Sequence, residues 1–325
     1  MTIGVSIADP AAEERIRSAL AATEELLKKS SDHADPLIAE AARHLLLAGG
    51  KRFRPLLTLL AAELGSGANE ETIKAAAVME LTHLATLYHD DVMDDAPVRR
   101  GAPSANSRWD NSVAILVGDY LFAQASMLVS ELGPEAVRIQ AQTFARLVTG
   151  QIRETTGPQN NDAVEHHLEV LADKTGSLIA ASALMGAKFA GADEVTQKLM
   201  SEYGELVGLA FQLADDIIDI TSDSSGKTPG TDLREGVPTL PVLLAMKSAA
   251  PEDARLRDLI SRPLSDEAEV QEALGLLRAH PALAEAQKFV KAKADEAKAL
   301  LAGLPMSPAR TALEGLCNTV INRIV

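Results

Sequence analysis

A single cysteine, Cys317, in 325 residues excludes an intramolecular disulfide framework and a zinc site built from thiolates. Aromatic residues are scarce too, at 3%, so a core has to come from aliphatic side chains, which a 46% hydrophobic content supplies. Positive charge is in deficit: 31 Lys and Arg stand against 46 Asp and Glu, a formal net charge of −15. That balance argues against nucleic acid as a partner, because phosphate backbones are held by clustered cations. An N-terminal apolar leader and an uninterrupted apolar span of membrane-crossing length are missing as well, so we expect a soluble, cytoplasmic protein with no signal peptide and no transmembrane segment. Strand-like alternation is hard to find, Ala and Leu dominate, and the chain reads as all-α. Length alone leaves one or two domains open.

Two acidic clusters stand out. Tyr88-His89-Asp90-Asp91-Val92-Met93-Asp94-Asp95 places four carboxylates within six residues at the end of an apolar segment. The preceding 80–87 has helical periodicity without Gly or Pro, and Pro97 is the expected stop. The cluster therefore falls at a helix C-terminus, where the macrodipole favours cations, and repulsion between Asp90 and Asp94 costs a further ~0.2–0.5 kcal/mol. Stability alone disfavours this arrangement. A hard divalent cation needs it, because carboxylates one turn apart can share an ion; a solvated acidic helix end is the structural alternative. Phe211-Gln212-Leu213-Ala214-Asp215-Asp216-Ile217-Ile218-Asp219 repeats the Asp-Asp-x-x-Asp spacing, again after an apolar run and before a breaker-rich loop. Gln212, Asp215, Asp216 and Asp219 share a helical face. If the two helices face each other, cations between them can bridge a polyanion such as diphosphate.

Cations cluster in spite of the overall deficit. Lys51-Arg52-Phe53-Arg54 lies between a helix expected over 36–48, closed by Gly49-Gly50, and one running to Leu64 with Pro55 at its first position. Lys51 and Arg54 suit a cradle for diphosphate oxygens; helix-end charge complementarity is the alternative. His83, seven residues before Asp90, lies within about 20° of it around the helix. It is a ligand or a core residue, whereas His89 lacks this alignment and is read as structural. Arg99-Arg100-Gly101 follows Pro97 in a loop and either neutralises the aspartates or reaches two different anions. Lys174-Thr175-Gly176 interrupts an Ala/Ser-rich helical stretch over 168–190, and its interior glycine implies a break or a close approach. The Gly- and hydroxyl-rich 224–236 is expected to form a mobile flap over a bound phosphate, with Lys227 as a point charge. It lacks the Walker A spacing. Helices expected over 267–279, 282–301 and 308–324 carry no apparent chemistry and are assigned to packing.

Taken together, Gly49–Pro55, His89–Asp94, Arg99–Gly101 and Gln212–Asp219 resemble the trans-type isoprenyl (polyprenyl) diphosphate synthases, in their long-chain branch. Each piece is modest alone; their order and spacing over most of the chain are specific. The resemblance implies one helical bundle over 1–325 around a central cavity, with 1–10 a loose tail, and a homodimer using three Mg2+ per active site. Carried over by position, Asp90, Asp94 and Asp215 are metal ligands, supported by Asp91, Asp216 and Asp219. Lys51, Arg54, His83 and Arg100 hold isopentenyl diphosphate. Arg99, Lys174, Thr175, Gln212 and Lys227 hold the allylic diphosphate, with Lys174 and Lys227 also counted among the catalytic groups. Thr231 stands where the family often has a second lysine.

The chemistry so implied is ionisation of an allylic diphosphate against metal, attack on the carbocation by the double bond of isopentenyl diphosphate, and loss of a proton. No nucleophilic Ser or Cys is required. In the family, bulk one turn before the first acidic motif floors the cavity; here Ala85 and Thr86 are small, which implies a product of about forty to fifty carbons, suited to a quinone side chain. Leu81, Thr82, Phe122 or Met127 could floor it earlier, making geranylgeranyl diphosphate the runner-up. Release of so apolar a product is compatible with transient membrane contact. A class I terpene cyclase needs only one diphosphate site, and a non-catalytic synthase subunit would have lost parts of the acidic or basic sets, which this chain retains apart from Thr231.

Overall fold

The computed structural model describes Ile7, residues 9–221 and residues 229–324. Helices make up nearly all of the ordered backbone: α1 (Pro10–Ser30), α2 (Pro36–Leu47), α3 (Phe53–Ala62), α4 (Glu70–Met93), α5 (Ala105–Arg108), α6 (Asn111–Ser130), α7 (Pro134–Thr156), α8 (Ala163–Leu171), α9 (Ser177–Phe189), α10 (Glu194–Thr221), α11 (Thr231–Glu235), α12 (Leu240–Met246), α13 (Ala254–Ile260), α14 (Glu267–Ala279), α15 (Pro281–Leu301) and α16 (Pro308–Asn322). Among the described residues the one sheet is a hairpin of β1 (Val98–Arg99) and β2 (Ala102–Pro103). An all-α fold is what the composition implied.

Local chemistry explains where the helices start. The side chains of Asp9, Asp35, Asp110, Asp162 and Asp266 each accept a backbone N–H of the helix that follows, and Asn69 and Thr72 form a reciprocal capping box on α4. Pro10, Pro36 and Pro281 occupy first helical positions, where a missing N–H costs nothing. Several boundaries differ from expectation. Pro55 is the third residue of α3, not its first, because Arg52 adopts the left-handed region (φ 48°) and launches the helix at Phe53. α4 stops at Met93, ahead of Pro97, with Asp94 as its C-cap. The segment after Pro97 is the hairpin rather than a plain loop, and its two turn residues, Arg100 (φ 55°) and Gly101 (φ 76°), have the positive φ that a tight hairpin turn demands.

The chain forms two compact units. The first takes in the described residues up to Ala145, then Leu178–Gly204 and Leu304–Leu313. Its centre is α4, buried almost continuously from Ala75 to Thr82 and again at Leu84, Ala85, Thr86 and Tyr88. The Tyr88 hydroxyl donates to the Ala41 carbonyl and accepts from the Leu45 N–H (3.2 Å), tying α4 to α2. Small residues set the helix spacing: a Cβ at Gly118 of α6 would lie 3.1 Å from the Ala85 carbonyl oxygen, and one at Gly186 of α9 would lie 2.0 Å from that of Thr58. α6 is the one helix, among the described residues, long and apolar enough to cross a membrane, a feature the sequence reading did not anticipate. It packs along α4 and buries Ala114, Val117, Leu121, Ala125 and Leu128.

The second unit comprises Arg146–Ser177, Glu205–Gly303 and the described residues from Glu314 onward. Its core gathers Val242 and Ala245 of α12, Leu256 and Leu259 of α13, Val270, Leu274 and Leu277 of α14, and Ile220 at the end of α10. The stretch 168–190 is not one helix: a π-helical turn, Ala172–Gly176, separates α8 from α9. Gly186→Ala should press a methyl into the Thr58 backbone and cost about 1–3 kcal/mol or more, read as a lower urea midpoint at unchanged m; an unshifted midpoint would contradict the close α9–α3 approach.

Candidate active site

In the first unit the acidic turn closes α4. Asp91 is fully buried and its Oδ1 receives Arg99 Nε at 2.5 Å; its Oδ2 is buried without a hydrogen-bond partner among the described residues. Burial pushes the Asp91 carboxyl above its ordinary value, opposed by Arg99. Asp90 is half-buried and Asp94 exposed, with Arg99 Nη2 3.7 Å from Asp94. Arg99, placed by resemblance on the allylic diphosphate, thus serves Asp91 in this structure. Arg100 diverges from it, as the loop reading allowed, and donates to the carbonyls of Leu45 (2.9 Å) and Gly49.

A basic set surrounds His83. Arg52 is buried and saturated: it binds Glu24 at 2.8 and 3.0 Å, Glu80 at 3.3 Å and the Leu46 carbonyl at 2.9 Å. Arg54 is half-buried, its Nε has no partner among the described residues, and burial lowers its pKa to about 10, so it stays charged near neutrality. Burial also lowers Arg100. His83 is pushed well below 6.5, first by burial and then by the charges of Arg54, Arg100, Arg99 and Arg52. The structure therefore brings Arg54, Arg100 and His83 together, while Lys51 is exposed. A Cβ at Gly50 would lie 2.9 Å from Arg52 Nη1 and 3.0 Å from Arg100, so this turn needs glycine for space as well as for its φ of 146°. Sequence reasoning missed Glu80. It is buried, it pairs with Arg52, and its charge opposes the desolvation of Arg54 and Arg100. A glutamate in an apolar run, three residues before His83, was the available signal.

In the second unit the acidic turn closes α10. Asp216 is buried, 3.0 Å from His167 Nε2, and accepts the Leu240 N–H at 3.4 Å. Both Asp219 oxygens accept backbone N–H groups opening α11, from Thr231 and Asp232, each at 3.1 Å. Thr231 thus contributes its amide at the position where a lysine was considered. Asp215 is half-buried and pairs with Arg323 at 2.6 Å, whose guanidinium stacks over Phe211 at 4.7 Å. The segment expected as a helix over 308–324 is accordingly not confined to packing: Arg323 follows α16, which ends at Asn322. Lys174 lies in the π-helical turn and donates to Glu154 at 2.5 Å; the Thr175 hydroxyl donates to Gln212 at 3.4 Å. The close approach at this turn comes from Gly150, where a Cβ would sit 2.6 Å from Lys174 N, rather than from Gly176. Lys227 and the first part of the expected flap, 224–228, lie outside the described residues.

No three His, Cys, Asp or Glu side chains form a closed cation cage among the described residues. An all-oxygen donor pair such as Asp90 and Asp94 fits magnesium, which keeps waters and takes one or two carboxylates together with substrate phosphates.

The pattern of polyprenyl synthetases matches residues 35–277. The chain belongs to the polyprenyl synthetase family. It is a transferase of the prenyl diphosphate synthase type. It is 52% identical over 324 residues to the nonaprenyl diphosphate synthase of Mycobacterium tuberculosis, covering 98% of this chain and 97% of that one. Among solved structures it is similar to a geranylgeranyl pyrophosphate synthase of Corynebacterium glutamicum complexed with calcium and isoprenyl diphosphate, at 47% identity and a TM-score of 0.91, covering 98% and 99% of the two chains. It is also similar to a decaprenyl diphosphate synthase of Rhodobacter capsulatus, at 34% identity and a TM-score of 0.88, covering 97% and 99%.

Because the folded His83 refuses a proton that the unfolded chain accepts, its contribution to stability falls as pH drops below about 6.5 and is constant above. Histidine NMR should show His83 neutral at pH 6, and His83→Gln should flatten the loss of stability below that pH; an imidazole titrating at 6.5 or higher would refute the desolvated basic patch.

Proposed function

We propose that this chain condenses isopentenyl diphosphate units onto an allylic diphosphate, with Mg2+ as cofactor, to give a long all-trans polyprenyl diphosphate. The observation that carries this reading is the charged patch at His83: Arg54 with a buried Nε that has no partner among the described residues, Arg100, and an imidazole kept neutral first by burial and then by the charges of both. Such a patch lacks one counter-charge, and a diphosphate supplies it with several strong acceptors. Arg54, Arg100 and Lys51 bind the isopentenyl diphosphate, and neutral His83 adds an N–H without further repulsion. Arg99, Lys174, Thr175, Gln212 and Lys227 bind the allylic diphosphate. Lys174 then turns from Glu154 to phosphate oxygen.

Magnesium on Asp90, Asp94 and Asp215, three ions per site, would neutralise charge on the departing diphosphate. Asp91, Asp216 and Asp219 are engaged by Arg99, His167 and two backbone amides, which suits them to hold the acidic turns in place. The allylic C–O bond ionises, the double bond of isopentenyl diphosphate closes the new C–C bond, and a proton leaves to the departing diphosphate. The residues orient both substrates, present fixed charge and keep water from the cation. The small size of Ala85 and Thr86 on α4 supports a long product.

The apolar side chains left exposed on α6 and α7, namely Ile115, Leu116, Met127 and Val137, support a homodimer. We place the enzyme in the cytoplasm, supplying a quinone side chain.

Purified protein incubated with magnesium, farnesyl diphosphate and labelled isopentenyl diphosphate should yield products of about forty to fifty carbons. Products stopping at about twenty carbons would instead establish the geranylgeranyl reading, and no consumption of isopentenyl diphosphate would sink both. Asp90→Ala should lower kcat at least about 10²-fold, and Ala85→Phe should shorten the product; unchanged length would refute that placement of the floor.

A further inference from the structure

We infer that Asp173, bridged by Arg146 and Arg153, is a positioning residue that fixes the π-helical turn and so aims Lys174 and Thr175, an inference that rests on their assignment to the allylic diphosphate. A π-helical turn adds a residue to the α-helical repeat and is rarely stable by itself. Relaxation to α geometry would rotate each side chain past the insertion by about 100°. Lys174 would then leave its present direction, so something must hold the turn.

Asp173 is placed to do so. Arg146 Nε meets its Oδ1 at 2.9 Å and Arg153 Nη1 meets its Oδ2 at 2.9 Å, one guanidinium on each oxygen. Both arginines come from α7, one on either side of Gly150, whose missing side chain lets the turn approach: a Cβ there would sit 3.0 Å from Asp173 Cβ. Arg146 continues to Glu205 on α10 at 3.1 and 3.2 Å. The Ser177 hydroxyl donates to the Asp173 carbonyl at 2.6 Å, on the far side of the turn. The Asp173 side chain is only 16% exposed, while Arg146 and Arg153 are 43% and 46% exposed, so it is the two-sided geometry about one carboxylate, rather than shielding from water, that makes the pair of bridges hold the turn. Asp173 thus acts through the backbone of its neighbours and not on substrate.

Asp173→Asn keeps the shape and removes the charge. It should raise KM for farnesyl diphosphate about tenfold, leave KM for isopentenyl diphosphate unchanged, and accelerate amide hydrogen exchange at residues 172–176; Asp173→Glu should recover part of both effects. Unchanged exchange together with an unchanged farnesyl diphosphate KM would overturn the inference. So would an equal rise in both KM values with a lowered Tm, which marks general loss of fold. If the wild-type protein consumes no isopentenyl diphosphate, the proposed function has failed, and the exchange measurement alone decides whether Asp173 holds the turn.

Discussion

Compensation of charge at the ends of α4 and α10 is the constraint on which the rest of the structure depends. Carboxylates at a helix C-terminus meet the wrong end of the dipole, so each must find a cation, a donor or water. Asp91 finds Arg99, Asp216 finds His167, and Asp219 finds the first amides of α11. Those pairings fix the two turns and leave Asp94 exposed and Asp90 half-buried, with Asp215 paired, among the described residues, to a half-exposed arginine. A turn whose inner carboxylates are tied down can offer its outer ones in a set geometry.

The basic patch obeys the opposite sign of the same rule. Arg52, Arg54 and Arg100 are drawn into a half-desolvated space where Glu24 and Glu80 are the compensating acids. Burial disfavours the charged imidazole first, and the neighbouring guanidiniums, which two carboxylates cannot neutralise, disfavour it further, so His83 is the base that gives way. A partly desolvated site with more guanidiniums than carboxylates is prepared for an anion. The same deficit would make it costly in a chain that bound none.

Small residues let these charged groups be held by packing. Gly118, Gly150 and Gly186 each allow an approach that a methyl group would block, and two of these approaches lie beside functional elements, the α4 turn and the π-helical turn. With so few aromatic residues, fine control of helix spacing falls to such positions, not to large side chains.

The sequence by itself determined the all-α class, most helix starts, the two aspartate turns and the family, because capping, periodicity and motif spacing are local in the chain. Even the break at Lys174-Thr175-Gly176 was legible from a misplaced lysine and glycine. Only the tertiary structure decided that His83 is neutral, that Glu80 is the buried counter-charge, that Arg323, just past the last helix, returns to Asp215, and that Asp173 joins two arginines of α7. Those facts depend on desolvation and on pairs up to 108 residues apart, and neither is encoded in any short window of sequence.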